Sequence, residues 1–153
     1  MYPFFLISNP FFLAIIYDGL IVPSIYPTNK QSDSNRGLTE GMTEIIAMAG
    51  VPNTIEIASG YYFEASFVNQ LIAIVGLNVI SKSYFGNKGT KEIEKELDNY
   101  GNNFLNSSLL FRRIEDNFYL KDFEGKQGVL AGIQATLIEY YKNKMLFYIQ
   151  NNL

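Results

Sequence analysis

The chain has no histidine, no cysteine and no tryptophan among its 153 residues. The missing histidine excludes most. It removes the commonest general base near neutral pH and the commonest metal ligand. Ser-His-Asp and Cys-His catalysis go with it, as do zinc sites built on His or Cys. Without cysteine there is no disulfide, and the redox compartment leaves no mark on the sequence. A carboxylate-only site for Mg²⁺ or Ca²⁺ is chemically allowed, yet no EF-hand loop or similar pattern is present. Basic character is scarce too. The net charge is -3 and the pI is near 4.9. With no basic patch, nothing points to a nucleic-acid partner.

What is present is apolar. Hydrophobic residues make up 48% of the chain, with 12 Phe and 11 Tyr supplying every aromatic ring. That suffices for one domain with a substantial core. The first 29 residues carry a single charge, Asp18. Phe4 to Val22 is long enough to raise the question of a membrane span. Asn9-Pro10 interrupts it, Asp18 sits inside it, and no Lys or Arg precedes it as in a signal peptide. Membrane association is therefore the minor alternative to a cytoplasmic location. The local pattern instead predicts a β-hairpin. Ala14-Ile15-Ile16-Tyr17 and Leu20-Ile21-Val22 are strand formers, and Asp18-Gly19 suits a two-residue type I′ turn. Pro23 limits the second strand, and Pro27 to Asn35 forms a polar connector.

After Gly37 the apolar spacing is helical. The first helix, Leu38 to Ala49, places Leu38, Met42, Ile45, Ile46 and Ala49 on one face and stops at Gly50 before Pro52. Tyr61 to Val75 carries Ala65, Val68, Leu71 and Ile72, with Gly76 as its stop. Val79 to Phe85 is short and closed by Gly86. Lys91 to Tyr100 is a charged helix whose inward pair is Ile93 and Leu97. Phe104 to Phe118 carries Leu105, Leu109, Phe111 and Ile114. The last, about Gly128 to Tyr148, carries Leu130, Ile133, Leu137, Tyr141 and Met145, and its apolar tail is expected to dock on the core. Arg112-Arg113 beside Glu115-Asp116 predicts local pairing. The expectation is a mainly α fold of about six helices with a small N-terminal hairpin. Residues 1–36 hold the apolar segment, hairpin and connector, and residues 37–153 the helical domain.

One stretch carries more than periodicity: Arg36-Gly37-Leu38-Thr39-Glu40-Gly41-Met42-Thr43-Glu44. It resembles the second motif of gluzincin-like zinc metallopeptidase domains of Gram-positive bacteria. There an HExxH helix is followed by a connector and a helix opening with Leu-Asn-Glu-Gly-x-Thr-Glu. Similar features follow in order: Gly60-Tyr61-Tyr62-Phe63-Glu64, then Leu71 to Gly76, then Tyr84-Phe85-Gly86, then the charged helix. The resemblance covers roughly Tyr17 to Tyr119. It implies the helical C-terminal subdomain of a gluzincin. It also implies that Glu40 is the third zinc ligand, flanked by Thr39 (where the family has Asn), Gly41, Thr43 and Glu44.

The departure from the family is severe, because no HExxH exists. Two His at i and i+4 grip the metal while the Glu between them polarises water. Without them Glu40 is a single carboxylate, so the chain as given is expected to hold no cofactor and to hydrolyse nothing. Intact relatives would use zinc to cleave peptides. The chain reads as a fragment, as a truncated gene product, or as a pseudo-enzyme that keeps the scaffold for binding. In the last case the apolar face of the helix beginning at Leu38, where an HExxH helix should pack, would recruit another chain or a second copy. Three plainer readings stand beside these. Glu40 favours the first turn of a helix on dipole grounds alone. Glu40 and Glu44 at i, i+4 read as a solvated face before a cation site. Gly41 is either a close-approach glycine at a metal or a packing glycine.

Overall fold

The computed structural model describes residues 35–49, 61–86 and 88–153. The hairpin expected over Ala14 to Val22 and the apolar run Phe4 to Val22 lie outside them. The described chain is helical throughout, with no strand among the described residues. Six helices follow one another: α1 (Arg36–Ala49), α2 (Tyr62–Val75), α3 (Leu77–Phe85), α4 (Lys91–Asp98), α5 (Ser107–Tyr119) and α6 (Phe123–Asn152). No described helix is long and apolar enough to cross a membrane.

α2 is the central element, packing against α1, α3, α4 and α6. Its sequence explains this. Phe67, Val68, Leu71 and Ile74 are fully buried, and Ala65 nearly so, so apolar side chains leave it in several directions. Leu38 and Met42 of α1 reach the same core. So do Ile80 and Tyr84 of α3, Ile93 and Leu97 of α4, Leu110, Phe111 and Ile114 of α5, and Ile133, Leu137 and Tyr140 of α6. The chain turns sharply between α2 and α3 at Gly76. Its φ of 91° lies where a side chain would be strained, which glycine avoids.

Local chemistry fixes the helix starts. Asn106 accepts from Leu109 N–H at 2.9 Å at the head of α5. Asp122 accepts from Gly125 N–H at 2.9 Å at the head of α6. Each satisfies a donor that a helix start otherwise leaves unpaired. The Asp122 cap places the start of α6 five residues before the expected Gly128. Glu94 accepts hydroxyl protons from Thr90 at 2.9 Å and Ser108 at 3.3 Å, and Asp98 accepts from Ser107 at 3.0 Å. Two acidic side chains of the charged helix thus tie α4 to the start of α5.

Two expected faces are shifted. On α5 the inward residue is Leu110, and Leu109 is exposed. On α6 it is Tyr140, while Tyr141 and Met145 are exposed. Nor do the described residues cover the tail of α6. Among the described residues Leu146, Tyr148, Ile149 and Leu153 are exposed, and the Phe147 ring meets that of Tyr100 edge-on at 5.9 Å.

Candidate functional site

The residues singled out by the Glu-Gly-x-Thr-Glu pattern all lie on α1, and the way α1 is mounted decides where they point. Asn35 caps the helix, accepting from Leu38 N–H at 3.0 Å. Its own amide donates to the Phe111 carbonyl of α5 at 2.7 Å. Glu115 of α5 accepts from the N–H of Arg36 and from that of Gly37 at 3.3 Å. A carboxylate here meets both the free donors and the positive end of the helix dipole. Glu115 therefore caps another helix, where the sequence suggested pairing with its arginine neighbours.

Two glycines seat α1 in the bundle. A Cβ on Gly41 would lie 2.4 Å from the Glu64 carbonyl oxygen and 3.0 Å from Ala65 N. The backbones of α1 and α2 cross at this point with no room for a side chain. A Cβ on Gly37 would meet Ile114 of α5 at 3.0 Å. Gly41 is thus a packing glycine, and the close approach it permits is to a helix. Thr39 is buried and donates its hydroxyl to the Asn35 carbonyl at 2.9 Å, one turn back along its own helix.

The seating leaves Glu40 partly buried at the edge of the bundle. Its side chain is 20% exposed and pairs with Arg36 at 3.4 Å, itself 50% exposed. The guanidinium also lies 5.8 Å from the Phe118 ring centroid, and Phe118 stacks on Tyr61 at 6.0 Å. Tyr61 and Tyr62 behave as an aromatic helix start, half-buried and exposed respectively. Further along α1, Thr43 donates its one hydroxyl proton to the Thr39 carbonyl at 2.9 Å. Its contact with the Tyr84 hydroxyl at 2.7 Å then requires Tyr84 to be the donor. The phenol is held in that protonated form. Burial raises its pKa, the Thr43 contact opposes this in part, and the negative charge of Glu40 adds to the rise. In the sequence Tyr84 stands out only as part of Tyr84-Phe85-Gly86, and no spacing along α1 points to it.

The arrangement is one partly buried carboxylate, an arginine, and an exposed threonine, Thr43, held to the buried Tyr84. Among the described residues no three His, Cys, Asp or Glu side chains gather as a metal site would require. The donor set does not fit zinc. Glu40 is shared with a guanidinium, and the whole chain offers no His or Cys to join it. Beside the site, Ile45 and Met48 of α1 and Tyr62, Ala65, Ser66 and Asn69 of α2 line an open groove of about 370 Å³. The apolar face expected along α1 divides accordingly. Leu38 and Met42 are spent on the chain's own core, and Met48 remains half in solvent. No family model, curated protein or solved structure matches this chain.

Proposed function

We propose that this chain is a helical domain of the gluzincin-like type that does not hydrolyse peptides by itself, with Glu40 a third-ligand carboxylate left without its HExxH partners. The observation that supports the reading is how α1 carries Glu40. The helix is fixed at its start by Asn35 and Glu115, and by backbone contact at Gly41. Yet the carboxylate it presents does no comparable structural work. Its one ion pair among the described residues is with half-exposed Arg36, and such pairs contribute about 0.2–1 kcal/mol. The same reading assigns the protein to the cytoplasm.

The test uses the full chain. Calorimetric titration with zinc is expected to show no stoichiometric site, and Glu40→Gln is expected to melt within about 3 °C of wild type. Stoichiometric zinc binding that Glu40→Gln abolishes, or zinc-dependent peptide cleavage by the chain alone, would overturn the reading. The ancestry is tested at the gene. An HExxH coding run within a few dozen codons upstream, in any forward frame, supports it, and its absence from all three frames removes the support.

A second reading is favoured by the groove between α1 and α2. It is floored by small residues, Ala65 and Ser66, and walled by Ile45, Met48 and Tyr62. That shape admits the apolar face of one helix from another polypeptide, in the place where an HExxH helix would pack. A Ser66→Arg variant that retains every binding partner of the wild-type chain would remove this reading.

A further inference from the structure

Helix α6 has two apolar seams, and the described residues cover only one. At 30 residues it is about 45 Å long, more than twice the length of any other helix here. Its inward seam is Ile133, Leu137 and Tyr140, all buried. Two polar contacts then hold its middle to the body. Asn143 donates to the Tyr100 carbonyl at 3.0 Å, and Lys144 donates to the Ala73 carbonyl at 2.8 Å. The second seam is Ile138, Tyr141, Met145 and Tyr148, with 60%, 47%, 42% and 62% of their surfaces exposed. Their spacing of three, four and three residues follows the alternation of a heptad repeat, which lets one helix lie along another. Nothing among the described residues covers them.

We infer that this seam is the interface of a homodimer, in which α6 of one copy packs antiparallel along α6 of a second. The seam complements itself when the two helices cross at Asn143. Tyr141 then faces Met145 of the other copy, and Ile138 faces Tyr148. Each layer sets a large ring against a smaller side chain, as interdigitated packing requires. One step further out, Gln134 faces Asn152, so polar meets polar at both ends. A two-fold axis repeats each pair. Lys142 and Glu139 beside the seam pair within their own helix at 3.4 Å, which leaves little net charge to oppose the approach of a copy.

The seam is also continuous with a second hollow. Gln70, Ala73 and Ile74 of α2, with Leu137, Ile138 and Tyr141 of α6, line about 300 Å³ of mostly apolar space. In the antiparallel register the partner's C-terminal turns run past it. Four half-exposed large side chains and this hollow supply on the order of 500 Å² per copy, below the roughly 800 Å² of a stable complex. The dimer is accordingly a weak one, with a dissociation constant on the order of 10 μM.

Sedimentation velocity of the full chain across that concentration range should show monomer converting to dimer, and Tyr148→Lys should weaken the association at least tenfold. Tyr148 points into solvent in the monomer, so folding is not at stake, and far-UV circular dichroism checks it. The absence of cysteine allows a direct test of register. When Tyr141→Cys and Met145→Cys chains are mixed under mild oxidation, the mixed disulfide should form faster than either self-disulfide. A chain that stays monomeric well above that range, or a dimer that survives Tyr148→Lys, overturns the proposal. Faster self-disulfides overturn the antiparallel register.

Discussion

Tyr140→Phe deletes one oxygen atom from the middle of the bundle. Tyr140 is fully buried on α6, and its hydroxyl has no hydrogen-bond partner among the described residues. In the unfolded chain that hydroxyl is hydrated, so folding strips its water and returns nothing. A buried polar group left unpaired costs about 1–3 kcal/mol. The ring fills the same space in the variant, so the packing contribution is nearly unchanged. The variant should therefore gain about 1 kcal/mol or more at neutral pH, which raises the melting temperature by roughly 2–4 °C per kcal/mol in a domain of this size.

The same hydroxyl gives a second, independent readout. Burial, with the charges of Asp98 and Glu94 added, pushes its pKa up to about 12. The unfolded tyrosine ionises near pH 10. Between these values the unfolded state binds fewer protons than the folded state, so wild-type stability falls as pH rises. The loss is absent below the unfolded pKa and reaches about 1.4 kcal/mol by about pH 11. Phenylalanine cannot ionise, so the gap between variant and wild type should widen by that amount. Urea denaturation at neutral pH and again near pH 11 measures both effects. A variant less stable than wild type at neutral pH would show that the hydroxyl has a partner after all. A gap that does not widen would show that the phenol ionises normally.

Gly41→Ala should be the more damaging of the two glycine substitutions on α1. Its Cβ would meet the α2 backbone, which cannot rotate away, so a loss of about 3 kcal/mol is expected, read by urea denaturation. Gly37→Ala meets the Ile114 methyl and carbonyl at 3.0 Å, a milder approach than the 2.4 Å at Gly41. Its loss should stay below that of Gly41→Ala by at least about 1 kcal/mol. Asn35→Ala removes both the cap of α1 and the bond to the Phe111 carbonyl. About 1–2 kcal/mol should go with them, a shift visible in the thermal midpoint.

The helices were legible because their apolar residues recur at helical spacing and glycines stop several of them. The faces were less so. α6 is apolar on more than one side, so Tyr141 and Met145 fit a helical stripe as well as Tyr140 does. Only the neighbouring helices decide which stripe is covered. On α5, Leu109 and Leu110 are adjacent and equally apolar, and the same ambiguity shifted the face by one residue. The surroundings of Glu40 lay beyond periodicity altogether. Tyr84 reaches Thr43 from 41 residues away, and Glu115 reaches Arg36 from 79. Such contacts are set by how helices stack, which local spacing does not encode. Gly41 left its role open in the sequence, since a packing glycine and a site glycine look alike until the opposing backbone is in view.

The borrowed cap on α1 has a consequence for how the protein opens. A helix end is ordinarily where exchange with solvent deuterium is fastest, because its amides fray without disturbing the rest. Here the first N–H groups of α1 are held by a side chain rooted in α5. They are released when α5 moves away or the whole bundle opens, and not by local fraying. The amides of Arg36 and Gly37 should then rank among the slow exchangers, at a chain position where fast ones are the rule. Their protection would report whether α1 and α5 stay docked.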